Sequence, residues 1–536
     1  MKLSNFKTQD KILWEKAGFE LPSYDREKII ERTRENPEWI HFGAGNIFRA
    51  FPASVHQTLL NRNAVKTGII VAEGFDYDII DKAYKPFNNL SALVVLKANG
   101  TIEKKIIGSV TESLKADSAS SDWLRLQEIF VSPSLKMASF TITEKGYSLK
   151  NAQSEFSADV LYDFEHGPSQ PKNIMAKITS LCLTRFHKGA HPLALVSMDN
   201  CSHNGTKLYE AVHFIALKWK ENGFCKKDFI SYIENPETLS FPWSMIDKIT
   251  PRPDDSVKAQ LEKDGFEDTG IIITDKNTYT AAFVNAEEAQ YLIIEDSFPN
   301  GKPPLDEGGI IFTDRDTVDR VERMKVCTCL NPLHTALAIY GCLLGYTSIH
   351  KEMHDPQLTS LIDKIGYKEG LPVVVNPGII NPEDFIREVI TVRLPNPFMP
   401  DTPQRIASDT SQKLPIRFGQ TIKAYMERKD LDVSSLFYIP LVFAGWLRYL
   451  MGLDDEGKIF TPSPDPLLET AKKSVEGIGL GDKGPFHSKL QNLLSDDKIF
   501  GVNLYTAGLG EKVESLFSEL VSGKGAVRNT LKKYLP

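Results

Sequence analysis

The 536-residue chain reads as α/β, a parallel-sheet half followed by a mostly helical half. Three observations predict this. Between residues 38 and 73 a buried strand, a glycine turn, an amphipathic helix and a second apolar strand follow one another, which is the start of a βαβ unit. Strand and helix patterns then alternate to about residue 225. From about residue 320 helical patterns dominate, punctuated by prolines.

The first 37 residues are polar and irregular and read as an N-terminal extension. EWIHFGAG (38–45) reads as a buried strand running into a turn. Asn46 to Asn61 carries Phe48, Phe51, Val55 and Leu59 at helical spacing, and Gly68 to Glu73 is a second strand. Ser91 to Val110 holds two β-rich runs, SALVVLKA and TIEKKIIGSV, joined at Asn99-Gly100, the signature of a hairpin. It predicts antiparallel strands inserted into the parallel sheet. Further strands are expected at 136–142 and 192–198, with helices at 173–187 and 206–221. Residues 230–310 are rich in proline and short strands. A boundary near 305 divides an α/β domain (38–305) from a mostly helical one (306–536).

Composition narrows the function. Hydrophobic residues are 41% and charged residues 25%, with a formal charge of -7. This is a globular balance with no global attraction for nucleic acid or anionic membranes. Leu436 to Leu447 is a long apolar run, too short to span a bilayer, and is expected to be helical after Pro440. The N-terminus has no apolar signal region, and six cysteines, with C-x-C at Cys327 and Cys329, suit a reducing, cytoplasmic location. His350 and His354 are four apart, but no third metal ligand accompanies them and no metal is expected. No P-loop pattern occurs. No heptad pattern marks a coiled coil, and the sequence names no oligomer.

Three motifs carry chemistry. Gly43-Ala44-Gly45 lies between a strand and a helix, where Gly43 permits a tight turn and Gly45 lets a pyrophosphate approach the backbone. Phe48 stands in place of the third glycine, and alone the turn fits a plain strand–helix connection equally well. Glu73, at the end of the second strand, is placed to accept ribose hydroxyls and to repel a 2′-phosphate, which favours NAD. The second motif, Ser197 to Gly205, follows another strand. Asn200 suits holding a substrate oxygen, while Asp199, Asn200 and Asn204 also suit turns and caps. The third runs from Lys325 through Asn331 to His334 into an apolar helix. Burial disfavours an ammonium, so a buried lysine there is a candidate general base. A surface lysine and a satisfied core histidine are the plain alternatives, and His334 is a second candidate base.

These motifs, in this order, resemble the polyol-specific long-chain dehydrogenases, the mannitol dehydrogenase family. The resemblance covers roughly residues 38–520. It rests on HFGAGNIFRA, TITEKGY (141–147), SMDNCSHNG, FPWSMIDKITP (241–251), EDSFPNGKPPLDEGG, MKVCTCLNPLHTALAIYG and the run from Asn396 through DTSQKLPIR. It implies a Rossmann-type first domain holding NAD at Gly43, Gly45, Asn46, Ile47, Phe48, Arg49, Glu73, Thr143 and Glu144. It implies metal-independent oxidation of a secondary alcohol, with Lys325 as base, Asn200 and Asn331 holding the reacting oxygen and His334 positioning substrate. If both asparagines serve one oxygen, the two halves must both contribute to the site. D-mannonate and D-fructuronate are favoured over mannitol and fructose or the tagaturonate pair. Asp247 and Lys248, Arg393, Lys413 and Arg417 are candidates for contacting a small sugar acid or polyol, the four cations for its carboxylate. The rival from another class is a dinucleotide-binding sensor without turnover, which would have no use for a general base.

Two departures stand out. The family pattern is K-x4-N-x2-H, whereas five residues separate Lys325 from Asn331 here. On an ideal helix the nine steps from Lys325 to His334 turn through about 900°, onto opposite faces. A bulge, or a helix starting after the lysine, is therefore expected. The family's V-D-R is Ile246-Asp247-Lys248, which keeps the charge and loses the planar fork of arginine.

Overall fold

The computed structural model describes residues 1–6, 10–151 and 153–535. They form two compact units, the described residues of 1–97 with 101–319, and those from 320 onward with 98–100.

The first unit is built on six parallel strands: β1 (Trp39–Phe42), β2 (Ile69–Glu73), β3 (Val110–Lys115), β4 (Met137–Phe140), β5 (Leu193–Ser197) and β6 (Leu239–Ser240). Their spatial order is 3-2-1-4-5-6 with every neighbouring pair parallel, the doubly wound dinucleotide-binding arrangement. Every residue of β1, β2, β4 and β5 is buried, as a parallel sheet covered on both faces requires. Strand order reverses between β1 and β4, so the loops at their carboxyl ends frame the crevice where ligands bind.

Four sequence expectations need correction. The single helix over 46–61 is two, α1 (Asn46–Ala50) and α2 (Pro52–Asn61). Pro52 disfavours helical geometry in the residue before it, and Phe51 sits at φ −121°, ψ −73°. The run 101–110 is not one strand. Ile102–Ile107 forms the expected hairpin with Ser91–Leu96, whereas Val110 opens β3 of the parallel sheet. Gly108 makes the crossing: a Cβ there would lie 3.2 Å from Leu90 and 3.3 Å from Arg26 and Pro22. The first 37 residues are not irregular, since Phe19–Glu20 pairs with Lys104 and Lys105 at the edge of the hairpin sheet and Arg26–Glu35 is helical. Phe283–Glu287 closes the other side of that four-stranded sheet. Further helices follow, α3 (Ile174–His187) and α4 (Asn204–Glu221).

The second unit packs α5 (Asn331–Leu343), α6 (Tyr438–Leu450) and α7 (Gly510–Leu520) around an apolar core. Tyr340 of α5 donates to the Leu441 carbonyl of α6 at 2.7 Å, and Gly445 leaves room for its ring. The fourth correction is that α6 begins two residues before Pro440. The N–H groups of Phe437, Tyr438 and Ile439 donate to the Glu369 carboxylate at 2.6, 2.8 and 2.8 Å. Pro440 has no N–H to satisfy, so the first turn tolerates it. By length and composition the helical stretch Arg315–Leu343 could cross a bilayer, with mean hydropathy 1.3, but 78% of its apolar window is buried, which marks a core helix.

Candidate active site

Gly43 ends β1 at φ +105°, and a Cβ on it would lie 2.1 Å from the Thr141 carbonyl oxygen. Glycine is therefore obligatory. Gly45 has no atom within 4 Å of where a Cβ would stand, so the backbone face of the turn is open to a ligand. Glu73 braces the turn from the end of β2. One carboxylate oxygen accepts from Ala44 N at 2.8 Å, the other from Phe75 N at 2.8 Å and Asp76 N at 3.2 Å. A carboxylate offers about four acceptor positions, so one remains for a ribose hydroxyl. Burial raises the Glu73 pKa, and the three N–H donors oppose that shift.

Asn46 and Ile47 are half-buried at the start of α1. Phe48 and Arg49 do not face the turn. Phe48 is fully buried and stacks on His41 with ring centroids 4.1 Å apart. Arg49 is 1% exposed and donates to Thr280 Oγ1 at 3.0 Å and the Ala281 carbonyl at 2.8 Å. Their side chains brace the core beneath the turn, so any contact of these two residues with a cofactor would be made by their backbone.

Thr143 and Glu144 are exposed at the start of a short helix, Thr143–Tyr147, that follows β4, Thr143 at φ +64° and Glu144 paired with Lys207. The residue that shapes this helix start was read from the sequence only as a turn or cap former. Asp199, just beyond β5, accepts from Ile142 N at 2.8 Å, Thr143 N at 2.9 Å and the Tyr147 hydroxyl at 2.6 Å. The only signal was an acid directly following a buried strand. Asn200 is exposed beside it, and Asn204 is a buried cross-link, donating to the Asp199 and Ser244 carbonyls at 3.0 and 2.9 Å. Asp247 is buried at the end of strand Ser244–Asp247, and Lys248 Nζ donates to the Glu287 carbonyl at 2.5 Å and Gln290 Oε1 at 3.2 Å.

In the second unit Lys325 is buried and opens a π-helical turn, Lys325–Cys329. Leu330 N donates to the Lys325 carbonyl, five residues back, at 3.1 Å, and His334 N donates to the Leu330 carbonyl at 3.1 Å. One π turn and one α turn thus carry the chain from Lys325 to His334. The extra residue is absorbed as a bulge, and the lysine and histidine share a face. Asn331 begins α5 half-buried beside them.

A cationic cluster surrounds His334. Its Nε2 lies 3.4 Å from Asp401 Oδ2 and has no hydrogen-bond partner among the described residues. Burial pushes the imidazole down to about 4, and Arg417, Arg405 and Lys413 together oppose the upward pull of Asp401. Arg405 is ion-paired with Asp401. Lys413 Nζ donates to the Ile406 and Ser408 carbonyls at 2.9 and 2.5 Å, and burial, with Arg417 nearby, pushes it down to about 8. Arg417 donates to Thr335 Oγ1 at 2.6 Å and the Asn331 carbonyl at 3.4 Å. Arg393 is buried on the π turn Val389–Arg393. Among the described residues no group of three His, Cys, Asp or Glu is placed to hold a metal ion.

The glycine turn, the open face at Gly45 and the 3-2-1-4-5-6 sheet fit a dinucleotide. The comparisons agree. Residues 37–307 match the mannitol dehydrogenase Rossmann domain and residues 317–520 the mannitol dehydrogenase C-terminal domain. The chain is 53% identical over 535 residues to the D-mannonate oxidoreductase of Thermotoga maritima, covering 99% of each. Among solved structures it is similar to a substrate-free D-sorbitol dehydrogenase (TM-score 0.77, 25% identity, 97% of this chain and 98% of that one). It is also similar to Pseudomonas fluorescens mannitol 2-dehydrogenase, solved with NAD and D-mannitol (TM-score 0.69, 26% identity, 100% and 99%). The chain belongs to the mannitol dehydrogenase family.

Proposed function

We propose that this NAD-dependent dehydrogenase interconverts D-mannonate and D-fructuronate. The observation that carries the choice of substrate is the 53% identity to a D-mannonate oxidoreductase over 99% of both chains. The cations around His334, chemically suited to a carboxylate, support it.

Gly43, Ala44 and Gly45 hold the pyrophosphate on their backbone and Glu73 accepts a ribose hydroxyl. Asn46, Ile47, Thr143 and Glu144 line the approach. Bound NAD supplies the hydride acceptor. In oxidation the substrate's C–H bond gives up a hydride and Lys325 takes the hydroxyl proton. In reduction Lys325 returns it. Asn331 and Asn200 donate amide N–H groups to the oxygen as it gains negative charge, an interaction stronger in the transition state than in the ground state. His334 stays neutral and offers Nε2 to a substrate hydroxyl. Asp247, Lys248, Arg393 and Lys413 contact the remainder of the sugar.

The test is a panel of D-fructuronate, D-tagaturonate and D-fructose, followed by nicotinamide absorbance with NADH and NADPH. NADH oxidation by D-fructuronate is the expected result. Turnover of D-fructose alone would make the enzyme a polyol dehydrogenase, and activity only with NADPH would overturn the cofactor. Binding of NADH with no turnover of any ketose or keto-acid would favour a sensor.

A further inference from the structure

Two fully buried arginines, Arg185 and Arg448, serve as internal cross-links. Arg185 uses all three guanidinium nitrogens on backbone carbonyls, those of His191, Phe130, Ser132, Leu135 and Pro192. Arg448 does the same with the carbonyls of Leu520, Leu453 and Asp454. These are internal struts: every guanidinium nitrogen is engaged by a backbone carbonyl, and both side chains are fully buried.

Arg417 is different. Only Nη1 is engaged, with the Thr335 hydroxyl at 2.6 Å and the Asn331 carbonyl at 3.4 Å. Nε and Nη2 have no partner among the described residues, and neither is sealed from solvent. No carboxylate opposes its charge. Burial alone pushes its pKa down to about 10, with no acid pulling it back up. The neighbouring cations are already committed, Arg405 to Asp401 and Lys413 to two carbonyls. A part-buried guanidinium held against the first turn of α5, one residue along from His334, is therefore an open fork fixed at one corner. Its free edge suits two parallel N–H···O bonds to a planar anion.

We propose that Arg417 is the specificity-determining residue that binds the carboxylate of the sugar acid. This rests on the reading that the substrate is a sugar acid. Thr335 and the Asn331 carbonyl hold the fork in place, so binding the carboxylate fixes the sugar relative to Asn331 and His334 on the same helical turn. A neutral ketose gains nothing from the fork.

The experiment uses the full-length enzyme with NADH, comparing the parent with Arg417→Gln and Arg417→Lys on D-fructuronate, and on D-fructose wherever the parent reduces it. NADH affinity and the thermal midpoint are recorded in parallel. The expected result for Arg417→Gln is a KM for D-fructuronate raised about 10²-fold, on the scale of losing a charge-assisted pair. Its kcat should stay within about fivefold, with NADH affinity unchanged and any D-fructose activity changed less than about threefold. Arg417→Lys should recover part of the KM, since it restores charge but not the fork. A parent that turns over D-fructuronate with Arg417→Gln matching it would overturn the assignment and leave the proposed function standing. A loss in kcat with a lowered thermal midpoint and no change in KM would make Arg417 a strut and overturn it as well. A parent that reduces only neutral ketoses would overturn both readings.

Discussion

Deleting Val326 should leave the enzyme active, although the deletion falls between the proposed base and the proposed substrate histidine. Lys325 and His334 are nine residues apart, and an ideal α-helix turning about 100° per residue would put them on opposite faces. The hydrogen bonds instead run from Leu330 back five residues to Lys325 and from His334 back four to Leu330, so nine residues make two turns. Removing half-buried Val326 leaves eight residues, which two successive four-residue steps cover. Lys325 and His334 then keep one face, as in the family's shorter K-x4-N-x2-H spacing. An alanine inserted after Cys329 does the opposite, adding about 100° and 1.5 Å. A misplacement of about 1 Å already costs about 10²-fold in rate. NADH-linked steady-state kinetics should place the deletion variant within about tenfold of the parent in kcat/KM and the insertion variant at least about 10²-fold below it. Helical circular dichroism and NADH affinity would establish that both fold. A folded, NADH-binding deletion variant as inactive as the insertion would refute the register argument.

Asn200→Ala and Asn331→Ala should each lose about 10²–10³ in kcat while NADH affinity is kept, the scale of removing one oxyanion donor; kcat within a few-fold of the parent would dismiss that asparagine. Lys325→Ala should lose about 10²–10⁴ in kcat in both directions while NADH affinity is kept, the scale of removing a general base; kcat within a few-fold of the parent would take Lys325 out of the base role. Lys413 carries its charge below about pH 8, so the KM for the sugar acid should climb as pH passes 8 and stay flat in Lys413→Arg; a flat parent profile would remove Lys413 from the substrate's surroundings. Glu352 is fully buried with neither oxygen hydrogen-bonded among the described residues, and burial raises it to about 9. Because the folded state binds its proton more tightly than the unfolded state, stability falls as pH rises from about 4.5 towards 9, by at most about 1.4 kcal/mol per pH unit. Glu352→Gln should flatten that fall in thermal melts between pH 6 and 8.5, and an unchanged slope would assign it to other groups.

What the sequence disclosed was local. The Asn99-Gly100 hairpin and the strand ends of the βαβ unit depend on neighbours a few residues away, and spacing reveals them. The resemblance named Phe48 and Arg49 for the cofactor, yet their side chains turn into the core, because a motif fixes a position along the chain and not the direction of a side chain. Here an aromatic pair with His41 serves the helix–strand packing for which the usual pattern keeps a glycine. Asp199 was legible only as a turn former, since its bonds to Ile142 and Thr143 span 57 and 56 residues. The π turn was legible as a conflict: the spacing demanded an irregularity, and the hydrogen bonds supply it.

The cations around His334 bear on the choice between the two candidate bases. An imidazole at its ordinary pKa of about 6.5 would be well matched to proton transfer near neutrality. Burial and three cations against a single carboxylate hold this one down to about 4, where it is a poor proton acceptor at the pH of turnover. It remains a neutral hydrogen-bonding group, and its Nε2 lacks a partner among the described residues. The field that keeps His334 neutral also favours any negative charge beside it, whether a substrate carboxylate or an oxygen becoming an alkoxide. One cluster therefore argues against His334 as the base and would lower the energy of an anion bound beside it. That leaves Lys325, on the same face of the helix through the π turn, as the proposed proton acceptor.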